Sequence, residues 1–487
     1  MHGRKNSLPW ASMACLLWCA GQAAAQVASP PSANVQRFER QLDQIQRDTD
    51  QAVIGQVPAG NRALFDYGGY TTFSYLSFDD AAHDNHGLRQ YELVGYGRLN
   101  LDGAHEFYVR GRSDYRDWNA GDSFENEPST LSGVVEEGWY QFDLKRYLEA
   151  YQHKTISGDL IVKGGRQFVD WGNGLTLNQY VDGISSEVRA GGVVLDLLAA
   201  VTVKETIDFD ITRPDFDHNT HRGYYGARLT VPVGAQNPYA FVLAERDYNR
   251  PQAPDAHIIP TRYDYNSYYV GLGCNGALSD NLAYGAEAVY EGGSGLSNSV
   301  NPVTSVPIAQ TEDPISAYAV DLRLDYAFND IHRTRLTLEG ILASGDTGRD
   351  NTSGTFGGNP PHSVDHAFNG LGVIYTGLAF TPPVSNLLML RAGGSTYPVP
   401  HGKWLHGLQL QADLLVFGKT DRDAPIDEPT SNGRYLGIEP DLAVNWQITD
   451  DVTFALRYGI FFPGDAMPSG DPHDSRQFLY TGVTYAF

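Results

Sequence analysis

Apolar and polar residues alternate along most of this chain, most plainly at its end. Counting back in twos from Phe487 gives Tyr485, Val483, Thr481 and Leu479 on one face, with Ala486, Thr484, Gly482, Tyr480 and Phe478 on the other. Successive side chains of a strand point to opposite faces, so a period of two reads as a strand with one apolar face. From Leu64 onward the same reading predicts strands over 64–78, 88–100, 105–116, 134–144, 158–167, 184–190, 193–204, 221–232, 237–247, 264–275, 281–291, 315–328, 332–345, 385–397, 404–418, 434–447, 452–462 and 475–487. That is about eighteen, an even number.

The links carry more information than the count. Short ones include Leu101-Asp102-Gly103-Ala104, Val233-Gly234-Ala235-Gln236, Asn329-Asp330-Ile331 and Ile448-Thr449-Asp450-Asp451. They largely take turns with long ones at 117–133, 205–220, 248–263, 292–314, 346–384, 419–433 and 463–474. Short turns on one side and long loops on the other mark an outer-membrane barrel, whereas a soluble sandwich, the rival fold, has no reason to sort its loops by side. One longer link breaks the short side: 145–157, whose Lys145-Arg146-Tyr147-Leu148-Glu149-Ala150-Tyr151 run reads as a short helix. Pro382-Pro383 breaks ladder bonding within 346–384, which is read as one extracellular loop able to fold into the lumen. The predicted fold is all-β: a transmembrane antiparallel up-and-down β-barrel of about 18 strands over 61–487, preceded by a short helix.

The front of the chain points outward from the cytoplasm. Residues 1–25 read as a secretory signal peptide, with Arg4 and Lys5, an apolar run from Met13 to Ala20, and Ala23-Ala24-Ala25 before Gln26. Residues 26–60 read as a periplasmic linker and a short amphipathic helix, in which Val35, Phe38, Leu42, Ile45 and Ala52 fall near heptad spacing. Residues 35–52 are therefore a candidate for self-association or for a periplasmic partner. Cleavage removes Cys15 and Cys19, leaving Cys274 alone, so no intramolecular disulfide forms.

Composition fits one face in lipid and one in water. No later segment is a long uncharged apolar run, yet the chain holds 29 Tyr and 52 Gly, and its mean hydropathy is negative. The formal charge is −23, or −25 for the mature chain with 33 basic against 58 acidic residues. Such an acidic balance argues against nucleic-acid binding.

Parity sorts the side chains of each strand. In 315–328, Tyr318, Val320, Leu322, Leu324, Tyr326 and Phe328 face lipid, which turns Asp321, Arg323 and Asp325 inward. In 332–345, Leu336, Leu338 and Leu342 face out and Arg333, Arg335 and Glu339 face in. Arg457 faces in from 452–462, as do Tyr108, Arg110, Arg112, Arg222, Arg228, Arg246, Arg391, Gln409, Gln411 and Asp413 from their strands. Each Arg turned to lipid near the midplane would cost roughly 2–4 kcal/mol. The inward set reads either as a pore lining that selects anions or as a salt-bridge lattice that stiffens the wall. Tyr108, Trp139, Tyr224 and Tyr480 read either as sugar-stacking rings or as girdle residues.

Two stretches resemble the alginate-export porins: Leu456-Arg457-Tyr458-Gly459 running into Phe461-Phe462-Pro463-Gly464-Asp465-Ala466, and Val162-Lys163-Gly164-Gly165-Arg166-Gln167 after a strand carrying Trp139. The resemblance implies an 18-stranded outer-membrane barrel passing an anionic exopolysaccharide through an Arg-rich constriction, with Arg457 and Arg166 in it. Parity supports Arg457. Arg166 shares parity with Leu160 and Val162 unless Gly164-Gly165 forms a bulge. Glu136-Glu137 stand where the family carries a basic residue, which leaves the polymer open. The last strand also resembles the C-terminal signal by which outer-membrane barrels are recognised for assembly.

No G-x-S-x-G, H-E-x-x-H or paired Cys/His spacing is present, so no catalytic residue, metal or cofactor is assigned. His83 and His86, with Asp79, Asp80 and Asp84, read as a solvated external loop before they read as a cation site. The expected function is a porin-like channel in the bacterial outer membrane, in contact with its lipid, that exports a charged, alginate-like exopolysaccharide by passive diffusion. A general or nutrient-uptake porin for small anionic solutes is the alternative. An outer-membrane hydrolase or acyltransferase comes third.

Overall fold

The computed structural model describes residues 63–487, except 121, 123–128, 172, 205, 207–209, 211–219, 250–260, 302–303, 305, 353, 356–357, 373 and 468–474. The stretches read as a signal peptide, a linker and the heptad segment 35–52 lie outside the described residues.

Nineteen strands follow in chain order. The first nine are β1 (Ala63–Asp79), β2 (Asn85–Leu101), β3 (His105–Trp118), β4 (Ser129–Asp143), β5 (Asp159–Trp171), β6 (Leu177–Ala190), β7 (Val193–Thr202), β8 (Arg222–Thr230) and β9 (Gln236–Asp247). They continue as β10 (Tyr265–Ser279), β11 (Leu282–Leu296), β12 (Glu312–Ala327), β13 (Arg335–Ala343), the two-residue β14 (Leu371–Gly372), β15 (Leu388–Thr396), β16 (Leu408–Gly418), β17 (Tyr435–Gln447), β18 (Val452–Pro463) and β19 (Arg476–Ala486). All but β14 form the wall, eighteen antiparallel strands in sequence order, and β1 pairs with both β2 and β19 to close it. Each of the eighteen overlaps a strand predicted from periodicity. Among the described residues the one helix is α1 (Leu144–Gln152), on the long exception to the short-turn side. The structure thus places a helix there, and not clearly at the N-terminus.

Why the wall closes is visible in its faces. Outward positions are apolar and exposed, such as Leu272 at 64 % and Leu338 at 55 %, while their strand neighbours point into a polar, packed interior. Closure leaves no unpaired edge at the seam, and the last residue takes part: Phe487 N–H donates to Gly69 O (2.9 Å) and Gly69 N–H to Phe487 O (3.0 Å). Tight turns use the residues their backbone demands. Asp102 and Gly103 in the β2–β3 turn, and Gly191 and Gly192 in the two-residue β6–β7 turn, have positive φ, as type I′ turns require.

Two elements leave the wall and enter the lumen. The β5–β6 ladder runs on to Trp171↔Leu177, but β4 pairs with β5 only as far as Gly138↔Arg166, and β6 with β7 only as far as Val181↔Thr202. Beyond those points the hairpin bends inward. Gly165 sits at the bend with φ +128°, where a Cβ would lie 2.2 Å from Gly138 O. The second element is the link 344–387, whose β14 runs parallel to β6 through Leu371↔Leu177. Their side chains build the buried core: Trp171, Leu175, Leu177, Phe368, Leu371 and Phe380 pack against inward residues such as Phe241, Tyr269, Phe417 and Phe461.

Candidate functional site: the plugged lumen and its periplasmic vestibule

Carboxylates on the wall hold the two inward elements. Glu439, on β17, takes three backbone N–H groups of the plug, from Leu378 (2.6 Å), Ala379 (2.7 Å) and Phe380 (2.9 Å). Phe380 then stacks on Phe461 at 4.2 Å between ring centres and meets Phe417 edge-on at 5.2 Å. Two residues along β17, Asp441 accepts the Tyr375 hydroxyl. Burial, reinforced by the Asp441 charge, pushes that hydroxyl well above the usual tyrosine range and keeps it a donor. On β11, Glu291 accepts Asn369 N–H (2.8 Å) and the Tyr265 hydroxyl (2.6 Å). Within the plug, Arg349 forms an ion pair with Asp365 (2.6 Å).

The hairpin tip is held the same way. Asn173 donates its backbone N–H to Glu287 (3.0 Å) and its side-chain amide to Asp321 (2.9 Å), reaching β11 and β12 on the far side of the lumen. Arg228, which pairs with Asp196 (2.9 Å), lies over the Trp171 ring at 5.7 Å.

Most of the arginines read as inward do face in, and most are bound to carboxylates. Arg110 is buried between Glu136 (2.8 Å) and Glu137 (3.1 Å), which a register shift in the β3–β4 ladder turns to the same guanidinium. It also donates to the Tyr180 hydroxyl of the bent hairpin (2.7 Å). Arg112 also pairs with Glu136 (3.0 Å), so the acidic pair that departs from the family pattern meets two guanidinium groups within the wall. Arg391 joins Glu339 (3.1 Å) to Asp413 (2.7 Å) and lies 4.7 Å from the Tyr375 ring centre. Arg323 pairs with Asp325 on its own strand (2.7 Å), and Asp325 also accepts Thr337. Arg335 stands at the periplasmic end of β13, opposite Ala327 and Ser395. Arg457 donates to Val444 O (3.3 Å) and Leu456 O (3.1 Å).

Two placements differ from expectation. Arg166 keeps the parity of Leu160 and Val162, because neither ladder of β5 shifts register at Gly164-Gly165. It sits where the hairpin leaves the wall, gripping Asp182 through two nitrogens (2.8 and 3.0 Å) and donating to Val135 O (2.8 Å). Its partner Asp182 lies opposite Val201, an outward residue, so Arg166 braces the bend and does not project into the lumen. Arg246 is exposed on the outer face, since its neighbour Glu245 takes the inward position beside Phe241 and Leu243.

The aromatic candidates also resolve. Tyr224 and Tyr480 are buried. Tyr96, Tyr108 and Trp139 stack on one another, with centroids 6.2 and 5.3 Å apart, and the Lys163 amine caps Trp139 at 4.2 Å. In the loop after β1, Asp80 accepts the backbone N–H groups of Ala82 and Asp84, and His86 lies between Asp80 and Asp122. No group of three or more His, Cys, Asp or Glu among the described residues is arranged to hold a metal.

Beneath the plug lies a cavity of about 1090 Å³. It runs from the periplasmic turn residues Ile331, His401 and Asp450 up to Tyr375 and Leu378 of the plug. Arg333, Arg391 and Arg457 all line it, together with Gln409, Gln411 and Asp413. Arg110, Arg166, Arg228, Arg323 and Arg335 are not among its lining residues. Sequence reasoning missed the anchors Glu287, Glu291, Glu439 and Asp441. The signal was present, since each occupies the inward parity of its strand.

Among curated proteins, none matches this sequence. Among solved structures the chain is similar to OccK11 (OpdR) of Pseudomonas aeruginosa, at 11 % identity and a TM-score of 0.51, covering 87 % of this chain and 96 % of that one. It is also similar to OccAB3 of Acinetobacter baumannii, at 10 % identity and a TM-score of 0.51, covering 87 % and 99 %. At such identity the likeness speaks for the barrel fold alone. The family model described as alginate export matches residues 166–481. That span takes in the bent hairpin, the plug and both walls of the vestibule, and the chain belongs to the alginate-export family of bacterial outer-membrane proteins.

Proposed function

We propose that the barrel is a passive channel that exports an anionic, uronate-bearing polysaccharide from the periplasm. The observation that carries this reading is the vestibule, a periplasm-side cavity with Arg333, Arg391 and Arg457 on its walls below the plug. Guanidinium groups match carboxylates bidentately and keep their charge at any working pH. In a narrow, partly dehydrated lumen they draw a polyanion in from the side on which it is made. Arg391 is already shared between Glu339 and Asp413. Arg457 and Arg333 line the same walls.

The test is conductance in planar bilayers. Wild-type channels should prefer anions, and oligouronates added on the periplasmic side should block them. Arg457→Glu should reduce the anion preference several-fold and weaken the block. Current indifferent to oligouronates would overturn the proposal. Uptake of a small anionic solute rests on a different feature, the narrowing of the lumen by two packed elements. A deletion strain that loses solute uptake but keeps its surface polysaccharide would favour that reading.

A further inference from the structure

Helix α1 is amphipathic, but the protein does not bury its apolar stripe. Leu144, Tyr147, Leu148 and Tyr151 follow the i, i+3, i+4, i+7 spacing of one helix face, yet none of the nine residues is buried and Tyr151 is 50 % exposed. The helix is well formed. Asp143 caps its start by accepting Arg146 N–H (2.8 Å), and His153 ends it in the left-handed region. An apolar stripe on a capped helix needs a partner.

The location shows which one. Tyr147 and Tyr151 reach His105 at ring-centre distances of 6.1 and 6.3 Å, and Tyr147 reaches Phe142 at 5.6 Å. His105 and Phe142 have the outward parity of Phe107 and Tyr140, which are exposed on the lipid face and touch each other at 4.8 Å. The helix therefore lies against the outside of the wall at its periplasmic rim, and its stripe continues the lipid-facing aromatic girdle. The Tyr151 hydroxyl is tied to Asp102 of the β2–β3 turn (2.7 Å). Two of the basic residues on this rim are paired, Arg146 with Glu149 (3.7 Å) and Arg189 with Glu187.

We propose that α1 is an interfacial helix whose Leu144, Tyr147, Leu148 and Tyr151 stripe docks at the headgroup–acyl boundary of the phospholipid leaflet on the periplasmic side. Amphipathic helices lie in this plane with the apolar face roughly 5–10 Å deep, and tyrosine suits it because its ring is apolar and its hydroxyl wet. The helix would set the depth and tilt of the barrel on the β3–β4–β5 side. The proposal is independent of what passes through the pore.

The full-length protein carrying Cys15→Ser, Cys19→Ser and Cys274→Ser would be reconstituted in vesicles of phosphatidylcholine and phosphatidylethanolamine. Nitroxide labels would be placed at Leu148→Cys, at Tyr151→Cys and, as a reference in the periplasmic turn, at Ile331→Cys. Labels at 148 and 151 should show an oxygen-to-nickel-complex accessibility ratio several-fold above that at 331, little changed by added phosphatidylglycerol. A ratio at 148 and 151 equal to that at 331 would place the helix in water and overturn the proposal. Labels reached by neither reagent, or a membrane signal seen only with anionic lipid, would overturn it as well.

Discussion

At the scale of the residue, the lumen shows why inward charge is poor evidence of a pore lining taken one side chain at a time. Parity gives the direction of a side chain, and it served for Arg110, Arg228, Arg323, Arg391 and Arg457. It is silent on what the side chain meets across the barrel, because those partners come from strands far away in sequence. Asp321 illustrates this: read as lumen charge, it receives the amide of Asn173, 148 residues earlier. Glu439 is the sharpest case. A buried carboxylate with three N–H donors contributes charge-assisted bonds, and its loss leaves donors unsatisfied at about 1–3 kcal/mol each. Glu439→Ala should therefore loosen the plug around 376–381 without unfolding the wall. Hydrogen exchange of those amides should accelerate by an order of magnitude or more, while Glu439→Gln, which keeps one acceptor, should fall between. Unchanged exchange in the alanine variant would mean that the packing of Phe380 against Phe417 and Phe461 alone fixes the loop.

At the scale of the element, all eighteen wall strands were legible because a strand between lipid and water carries its period of two wherever it sits. The bend of β5–β6 was not. Residues 167–181 alternate equally well in the wall or off it, since an inward hairpin also has two different faces. Gly164-Gly165 marked the place as a candidate bulge, and the structure uses Gly165 there to turn the hairpin, with no shift of register. The link 344–387 was legible as a loop through Pro382-Pro383, and its apolar content reflects its place in the core. The tip of the hairpin offers a direct test. Asn173→Asp removes the amide that Asp321 accepts and places a third carboxylate between Glu287 and Asp321. Like charges in a low-dielectric lumen repel strongly, so the tip should be displaced. Single-channel records should show opening fluctuations several-fold more frequent than in wild type. Quiet, wild-type records would assign the anchoring to Trp171 and Leu177 instead.

At the scale of the whole molecule, wall and plug are separable in a way the registers make explicit. Leu342 and Leu388 are ladder partners, and Ala343 N–H donates to Leu387 O (2.8 Å), so the chain leaves the wall and returns to it at adjacent points. Every wall strand keeps both neighbours if what lies between is removed, and closure at β1–β19 does not involve the plug. Excising 345–385 and joining the ends through a short Asn-Gly turn, which suits a two-residue antiparallel connection, should therefore leave a barrel that still assembles. It should migrate as a heat-modifiable species like wild type. What the excision does remove is the half of the core built by Phe368, Leu371 and Phe380, together with the parallel contact that backs the β5–β6 hairpin. Conductance should rise several-fold, and selectivity should fall toward that of a wide aqueous pore, because barrels of 16–18 strands leave an open channel when nothing fills them. Glu439 and Asp441, stripped of the plug donors Leu378, Ala379, Phe380 and Tyr375, would then face water, and Glu291 would lose Asn369 N–H while keeping the Tyr265 hydroxyl, so any residual preference should shift toward cations. A barrel that fails to assemble would show instead that the plug is part of the folding core. An assembled barrel of unchanged conductance would show that the hairpin alone sets the constriction.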